Sequence, residues 1–291
     1  MGYLLLTSHL GDPDCKPLTV AQFRSLIGRM KQTERHTDER ELTADDLLAL
    51  GYGRETAEHI LFLLSRQEQL EYYVNQAKQK NCYPISRISR NYPGILRSRL
   101  GVDCPGVLWA KGDCSFLEKP AIALVGSRDL REENLHFARE VGRQAAKQGY
   151  VLVSGNARGA DRAAQDSCLK NGGQVISIVA DSLAKCMDVS GILYISEDGF
   201  DHSFSTIRAL SRNRLIHSMG SLTFVAQCSS GRGGTWTGSV QNLRHNWSPV
   251  FCFQDGSEGI SRLLQMGGNA VDIFDLSDFS ALQKQNITLF D

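Results

Sequence analysis

One stretch, Ala121 to Ala180, limits what this chain can fold into more than any other. Ala121–Val125 is a short apolar run closed by Gly126, the pattern of a strand buried on both faces. From about Glu132 to Gln148 the apolar residues Leu135, Phe137, Ala138, Val141, Ala145 and Ala146 follow a helical period, and Gly149 supplies the stop. Tyr150–Ser154 repeats the strand pattern, and SGNARGAD opens a second helix that runs to about Leu169. Asn171, Gly172 and Gly173 end that helix before a third apolar run, QVISIVA. Two crossover units of this length predict a mostly parallel α/β sheet with helices on both faces.

In such a sheet ligands bind outside the carboxyl ends of the strands, where the turns Gly126-Ser127-Arg128 and Gly155 to Asp161 fall. Glycine lets a backbone turn tightly and come close to an anion, and the following helix points free amides at it. Arg128 and Arg158 add guanidinium forks that match phosphate oxygens. Two adjacent turns, each with an arginine, predict a phosphate-binding edge; ordinary strand-to-helix turns with solvated arginines are the alternative. Neither turn is a P-loop of the GxxxxGKS type, and no GxGxxG follows the first strand. P-loop NTPase chemistry and a standard NAD or FAD site are therefore disfavoured, and no cofactor is implied.

With 291 residues, 42% of them hydrophobic and 22% charged, the chain can bury a substantial core. Its formal net charge is zero, so a polyanion site has to be a local patch. Eight cysteines are scattered without a CxxC, which argues against a zinc site and against a disulfide framework. The apolar run Tyr3–Leu6 is too short for a signal peptide or a membrane span, and the cytoplasm is the default location.

Residues 1–80 read as a small helical domain, 81–275 as the α/β domain and 276–291 as a tail. Thr19 and Thr43 are placed to cap helices, with a charged link from Lys31 to Glu41 between them. Gly51-Tyr52-Gly53 between two helical stretches resembles a helix-hairpin-helix turn; a plain packing domain is the other reading. Residues 81–118 read as irregular and extended, with a short edge strand at Pro105–Trp109. There Arg87, Arg90, Arg97 and Arg99, interleaved with Tyr83 and Tyr92, form either a single-strand platform or a solvated connector.

Gly191–Ser196 makes a fourth main strand, and SFSTIRALSRNRLIHSM a helix whose Arg208, Arg212, Asn213 and Arg214 border the glycine turns. Ser221–Gln227 is a fifth strand, followed by CSSGRGGTWTG, with Arg232, Gly233, Gly234 and Thr235 at the mouth of another helix. Pro249–Phe253 and Ala270–Phe274 complete the sheet. Three glycine turns thus converge on one predicted edge.

VGSR at 125–128, SGNARGAD at 154–161 and RNRLI at 212–216, preceded by YPGIL and CPGVLWAKGD, resemble the DNA-processing protein A (DprA/Smf) family over roughly residues 83–255. The resemblance implies a Rossmann-like domain whose positively charged pocket binds single-stranded DNA. It also implies a homodimer that helps load RecA in natural transformation. By motif it puts Gly126, Ser127, Arg128, Ser154, Gly155, Ala157, Arg158, Gly159, Asp161, Arg212, Asn213 and Arg214 at the pocket, joined by Asn156 within the second turn and by Arg232, Gly233, Gly234 and Thr235 from the third. Asp161 is expected to hold the arginine-bearing loop rather than to touch DNA.

The departures are Gln165 where the family has a histidine after Ala164, Asn156, the GRGGTWTG turn, and the lack of a following winged helix. They point to a divergent branch, placed as a hypothesis in phage defence or a toxin–antitoxin pair.

A rival reading comes from the similar fold of LOG-type phosphoribohydrolases and nucleotide sensors. GRGGTWTGSVQ at 231–241 lacks their proline and glutamate. With only Asp161 and Asp181 nearby, hydrolysis has no clear acid–base group, which favours a non-enzymatic protein and leaves a small-nucleotide sensor open. The tail QNITLFD, with Leu289 and Phe290, loosely resembles peptides that dock on sliding clamps.

Overall fold

A computed structural model of the chain describes residues 2–32 and 41–285, so most of the charged link and the clamp-like end of the tail lie outside the described residues. Five helices open it: α1 (Gly2–Thr7), α2 (Val20–Gln32), α3 (Ala44–Ala49), α4 (Arg54–Leu64) and α5 (Gln67–Gln79). Both expected caps form reciprocal boxes. The Gln22 amide donates to Thr19 Oγ1 and the Thr19 amide to Gln22 Oε1; Asp46 and Thr43 repeat the pattern. Leu6, Leu26, Leu47, Ile60 and Leu63 close a small core of their own. Tyr3 and Tyr73, from α1 and α5, belong instead to the core under the sheet, where the Tyr73 ring lies 5.1 Å from that of Trp109.

The sheet has nine strands among the described residues: β1 (Tyr83–Ser86), β2 (Val107–Lys111), β3 (Ala121–Val125), β4 (Val151–Ser154), β5 (Val175–Ile178), β6 (Ile192–Ser196), β7 (Thr223–Val225), β8 (Val250–Phe253) and β9 (Asn269–Val271). Their order is β1-β2-β6-β5-β4-β3-β7-β8-β9. The seven strands from β6 to β9 are parallel, while β2 runs antiparallel to β1 and β6. Alternate residues of β3 serve opposite cores. Ile122 and Leu124 face α7 (Glu132–Lys147) and α8 (Ala160–Lys170), while Ala123 and Val125 join the core of the other face. Burial on both faces is why the strand reads as an unbroken apolar run.

Two stretches differ from the expectation. Residues 81–118 hold β1 and the helix α6 (Gly94–Leu100), which buries Leu96 and Leu100 against the sheet. The four-residue β1 and seven-residue α6 are too short for their own periodicity to announce them. The single helix expected over 204–219 is two, α9 (Thr206–Ser211) and α10 (Asn213–Met219), parted at Arg212. Leu215 and Ile216 of α10 pack into the core, whereas α9 leaves Ile207 80% exposed. Helices α11 (Gly234–His245), α12 (Glu258–Gln265) and α13 (Phe279–Gln285) follow.

Between α10 and α11 lies a buried histidine. His217 is fully buried, and Asn242 Nδ2 donates to its Nδ1 at 3.1 Å, which leaves the ring proton on Nε2. Burial holds its pKa down to about 3. The unfolded chain takes up a proton near the ordinary histidine pKa and the folded chain resists until about 3. This group therefore costs nothing above about pH 6.5 and removes up to about 1.4 kcal/mol per pH unit below it. Urea titrations of the wild type and His217→Gln at pH 7, 5.5 and 4.5 should show the wild type losing stability faster on acidification.

Candidate functional site

The chain runs β3 to β6 outward in one direction and then returns to place β7 on the other side of β3. Such a reversal separates the loops leaving two neighbouring strands and opens a crevice at their carboxyl ends. A cleft of about 530 Å³ lies there, bounded by the turn after β3, the glycine turn before α11, and α9 with the start of α10. Of the residues singled out by motif, Gly126, Ser127, Arg128, Ala157, Asp161, Arg212, Asn213, Arg232, Gly233, Gly234 and Thr235 line it.

The turns are stitched to one another. The Ser127 amide donates to Gln227 O at 3.0 Å, and Gln227 Oε1 accepts from the Arg131 amide at 3.1 Å. In the second turn Asp161 Oδ2 accepts from the amides of Gly155 and Ala157, at 3.1 and 3.2 Å. Asp161 thus holds this loop from inside, and those two amides are already engaged. Burial raises its carboxyl pKa, opposed by the Arg212 guanidinium and the two amides. Arg212 is 8% exposed and donates to Ile178 O; burial lowers its pKa, and Asp161 is the main charge opposing that shift.

Glycine serves two different ends here. A Cβ on Gly155 would collide with the Arg212 guanidinium, and one on Gly159 (φ +90°) with the carbonyls of Ser127 and Arg128. Those two let parts of the protein approach each other rather than a ligand. Gly233 (φ +87°) has open space where a Cβ would lie, and it delivers the first turn of the twelve-residue α11 to the cleft. The unpaired amides of such a turn favour an anion. Asn213 Nδ2 donates to Gly234 O at 3.0 Å and ties α10 to that helix start.

The arginines divide sharply. Arg208 spends its guanidinium inside the protein, on Asp198, Ser196 Oγ and the carbonyls of Ala180, His202 and Ser203, at 2.7 to 2.9 Å. Arg214, expected at the pocket, turns away from it: it pairs with Glu197 and donates to Asp103 O at 2.7 Å. Ser154, Gly155, Asn156, Arg158 and Gly159 do not line the cleft either. Ser154 is buried and accepts from Gln165 Nε2 at 2.6 Å, and Arg158 pairs with Asp129 at 2.8 Å on the open surface. Three of the four arginines before β2 are also engaged: Arg87 donates to Gly101 O, Arg97 to Tyr92 O, and Arg99 to Ser218 O and Gly220 O, while Arg90 is exposed and does not line the cleft. Arg128 and Arg232 are exposed, line the cleft, and make no hydrogen bond or ion pair among the described residues.

Phe204, Ala209 and Leu210 of the α9 wall were not anticipated. The available signal was apolar residues at 204, 207 and 210 beside a polar loop, with no place in the predicted core. Among the described residues no three His, Cys, Asp or Glu side chains come together to hold a metal ion, and no helix is long and apolar enough to cross a membrane.

A profile of the DNA recombination-mediator protein A family matches residues 84–280. The chain belongs to that family. The resemblance read from VGSR, SGNARGAD and RNRLI is confirmed. DNA processing protein DprA of Streptococcus pneumoniae is 29% identical over 182 residues, 58% of this chain and 64% of that protein. This chain therefore matches less than two thirds of that relative's length. The solved structure of DNA processing protein A from the same organism has a TM-score of 0.70 at 23% identity, covering 93% of this chain and 94% of its own. The counterpart from Helicobacter pylori, solved in work on its single-stranded DNA binding, gives 0.58 at 23%, over 70% and 96%. Both are likenesses of fold. The family match begins within β1, so the five opening helices precede it.

Proposed function

We propose that this family member binds single-stranded DNA at the cleft between the loops of β3 and β7, without performing chemistry on it. The supporting observation is the pair of unengaged guanidiniums, Arg128 and Arg232, beside the open first turn of α11. Arginine forks and free amides suit phosphate oxygens of any sequence. The Helicobacter pylori relative, which binds single-stranded DNA, supports the same reading. Asp161 and Asp181, the carboxylates singled out in the sequence, are both committed to loop amides, and Asp129, which lines the cleft, pairs with Arg158. In this reading the protein works in the cytoplasm as a homodimer that hands strands to RecA. Its Gln165 and GRGGTWTG departures leave room for a role in defence.

The cleft volume of about 530 Å³, on the scale of one nucleotide, favours a second reading as a nucleotide sensor. Fluorescence anisotropy with oligothymidines of increasing length, at low and physiological salt, separates the two. Affinity that rises with length and falls steeply with salt supports strand binding. Affinity that peaks at one or two nucleotides supports the sensor, and no binding at any length overturns both.

A further inference from the structure

We infer that the α9 wall of the cleft takes the bases of a bound strand, with Phe204 as the stacking residue, while the opposite wall holds the phosphates. The inference rests on the phosphate reading above and adds what reads the other half of each nucleotide.

The two walls differ in chemistry. One carries Arg128 and Arg232 with the Gly126 and Gly233 turns; the other presents Phe204, Ala209 and Leu210. Phe204 is 52% exposed and Leu210 42%, and Ile207, on the same face of α9 as Leu210, is 80% exposed. Three large apolar side chains left in water over seven residues of a well-packed chain need a reason. Charge complementarity supplies one. A nucleic-acid strand carries anions along one edge and flat apolar faces along the other, and this cleft has a wall for each.

The wall is also held rigidly, which a chance patch on a six-residue helix would not be. Ser205 Oγ accepts from the Arg208 amide at 3.1 Å and caps α9. The Phe204 amide donates to Asp181 Oδ1 at 3.2 Å. Arg208 fastens the loop before α9 through the carbonyls of His202 and Ser203 and anchors it to the ends of β5 and β6. An aromatic ring presented on a fixed scaffold loses little freedom on binding. In a duplex the base faces are stacked on one another, so a wall of this kind accepts unpaired strands.

The test compares an oligothymidine with an abasic oligomer of equal length and charge, by anisotropy at low salt, on the full chain. The wild type should prefer the thymidine oligomer by about tenfold or more. Phe204→Ala should remove most of that preference and leave the slope of log affinity against log salt unchanged, with circular dichroism confirming its fold. Phe204→Trp should retain the preference, and its fluorescence should be quenched by the thymidine oligomer and not by the abasic one. Equal wild-type affinity for the two oligomers, or an undiminished preference in Phe204→Ala, overturns the inference. Failure of both oligomers to bind overturns the phosphate reading and the base wall together.

Discussion

Replacing Arg128 and Arg232 together with alanine is expected to weaken oligothymidine binding by roughly two to four orders of magnitude at low salt. Each guanidinium–phosphate hydrogen bond is worth about 1.5–3 kcal/mol, and neither arginine has a partner among the described residues to soften its removal. The loss should fall equally on all sequences, because phosphate contacts carry no base information. The dependence on salt should flatten by about 0.7 in log–log slope for each phosphate contact removed. Arg214→Ala is the matched control. It removes an arginine from the family's RNR motif, but one committed to Glu197 and Asp103, so it should leave that slope unchanged. A steep slope surviving in the double variant would place the strand elsewhere.

The second large effect is on stability. Asp161→Ala should destabilise the fold by about 3–5 kcal/mol, read from urea denaturation followed by circular dichroism. It strips the Gly155 and Ala157 amides of their acceptor and leaves the buried Arg212 cation without its main opposing charge. Asp161→Asn keeps an oxygen for the amides and isolates the charge, so it should fall between the wild type and alanine. Adding Arg212→Met to Asp161→Ala should recover part of the loss, because removing both members of a buried charge pair is milder than removing one. An additive double variant would show that the two groups do not act as a unit.

The sheet was legible because its strands are buried on both faces. Continuous apolar runs, closed by glycine after β3 and β4, marked β3 at its observed ends and β4 to β8 to within a residue or two at each end. The short pieces were not legible. β1 exists because it pairs with β2, and α6 because Leu96 and Leu100 find a core, neither of which a local pattern announces. At the site, residue type was a guide and availability was not. Arg208, Arg212, Arg214 and Arg232 look alike in the sequence, yet the first three give their guanidiniums to acceptors inside the fold, while Arg232 lines the cleft with its guanidinium unengaged among the described residues. Gly155 and Gly233 look alike too, and only contacts from distant segments separate a glycine that admits a side chain from one that leaves a helix end open.

The outer strands carry a last consequence. β1 is four residues long with Pro84 in it, and β9 is three residues long. Proline gives no amide to a ladder, and a three-residue border offers a newcomer almost nothing to align with. The sheet is therefore a poor template for strand addition from another molecule. Copies of this chain that associate have to meet through helices and loops, and crowding them in a destabilised preparation should give amorphous clumping more readily than ordered cross-strand fibres.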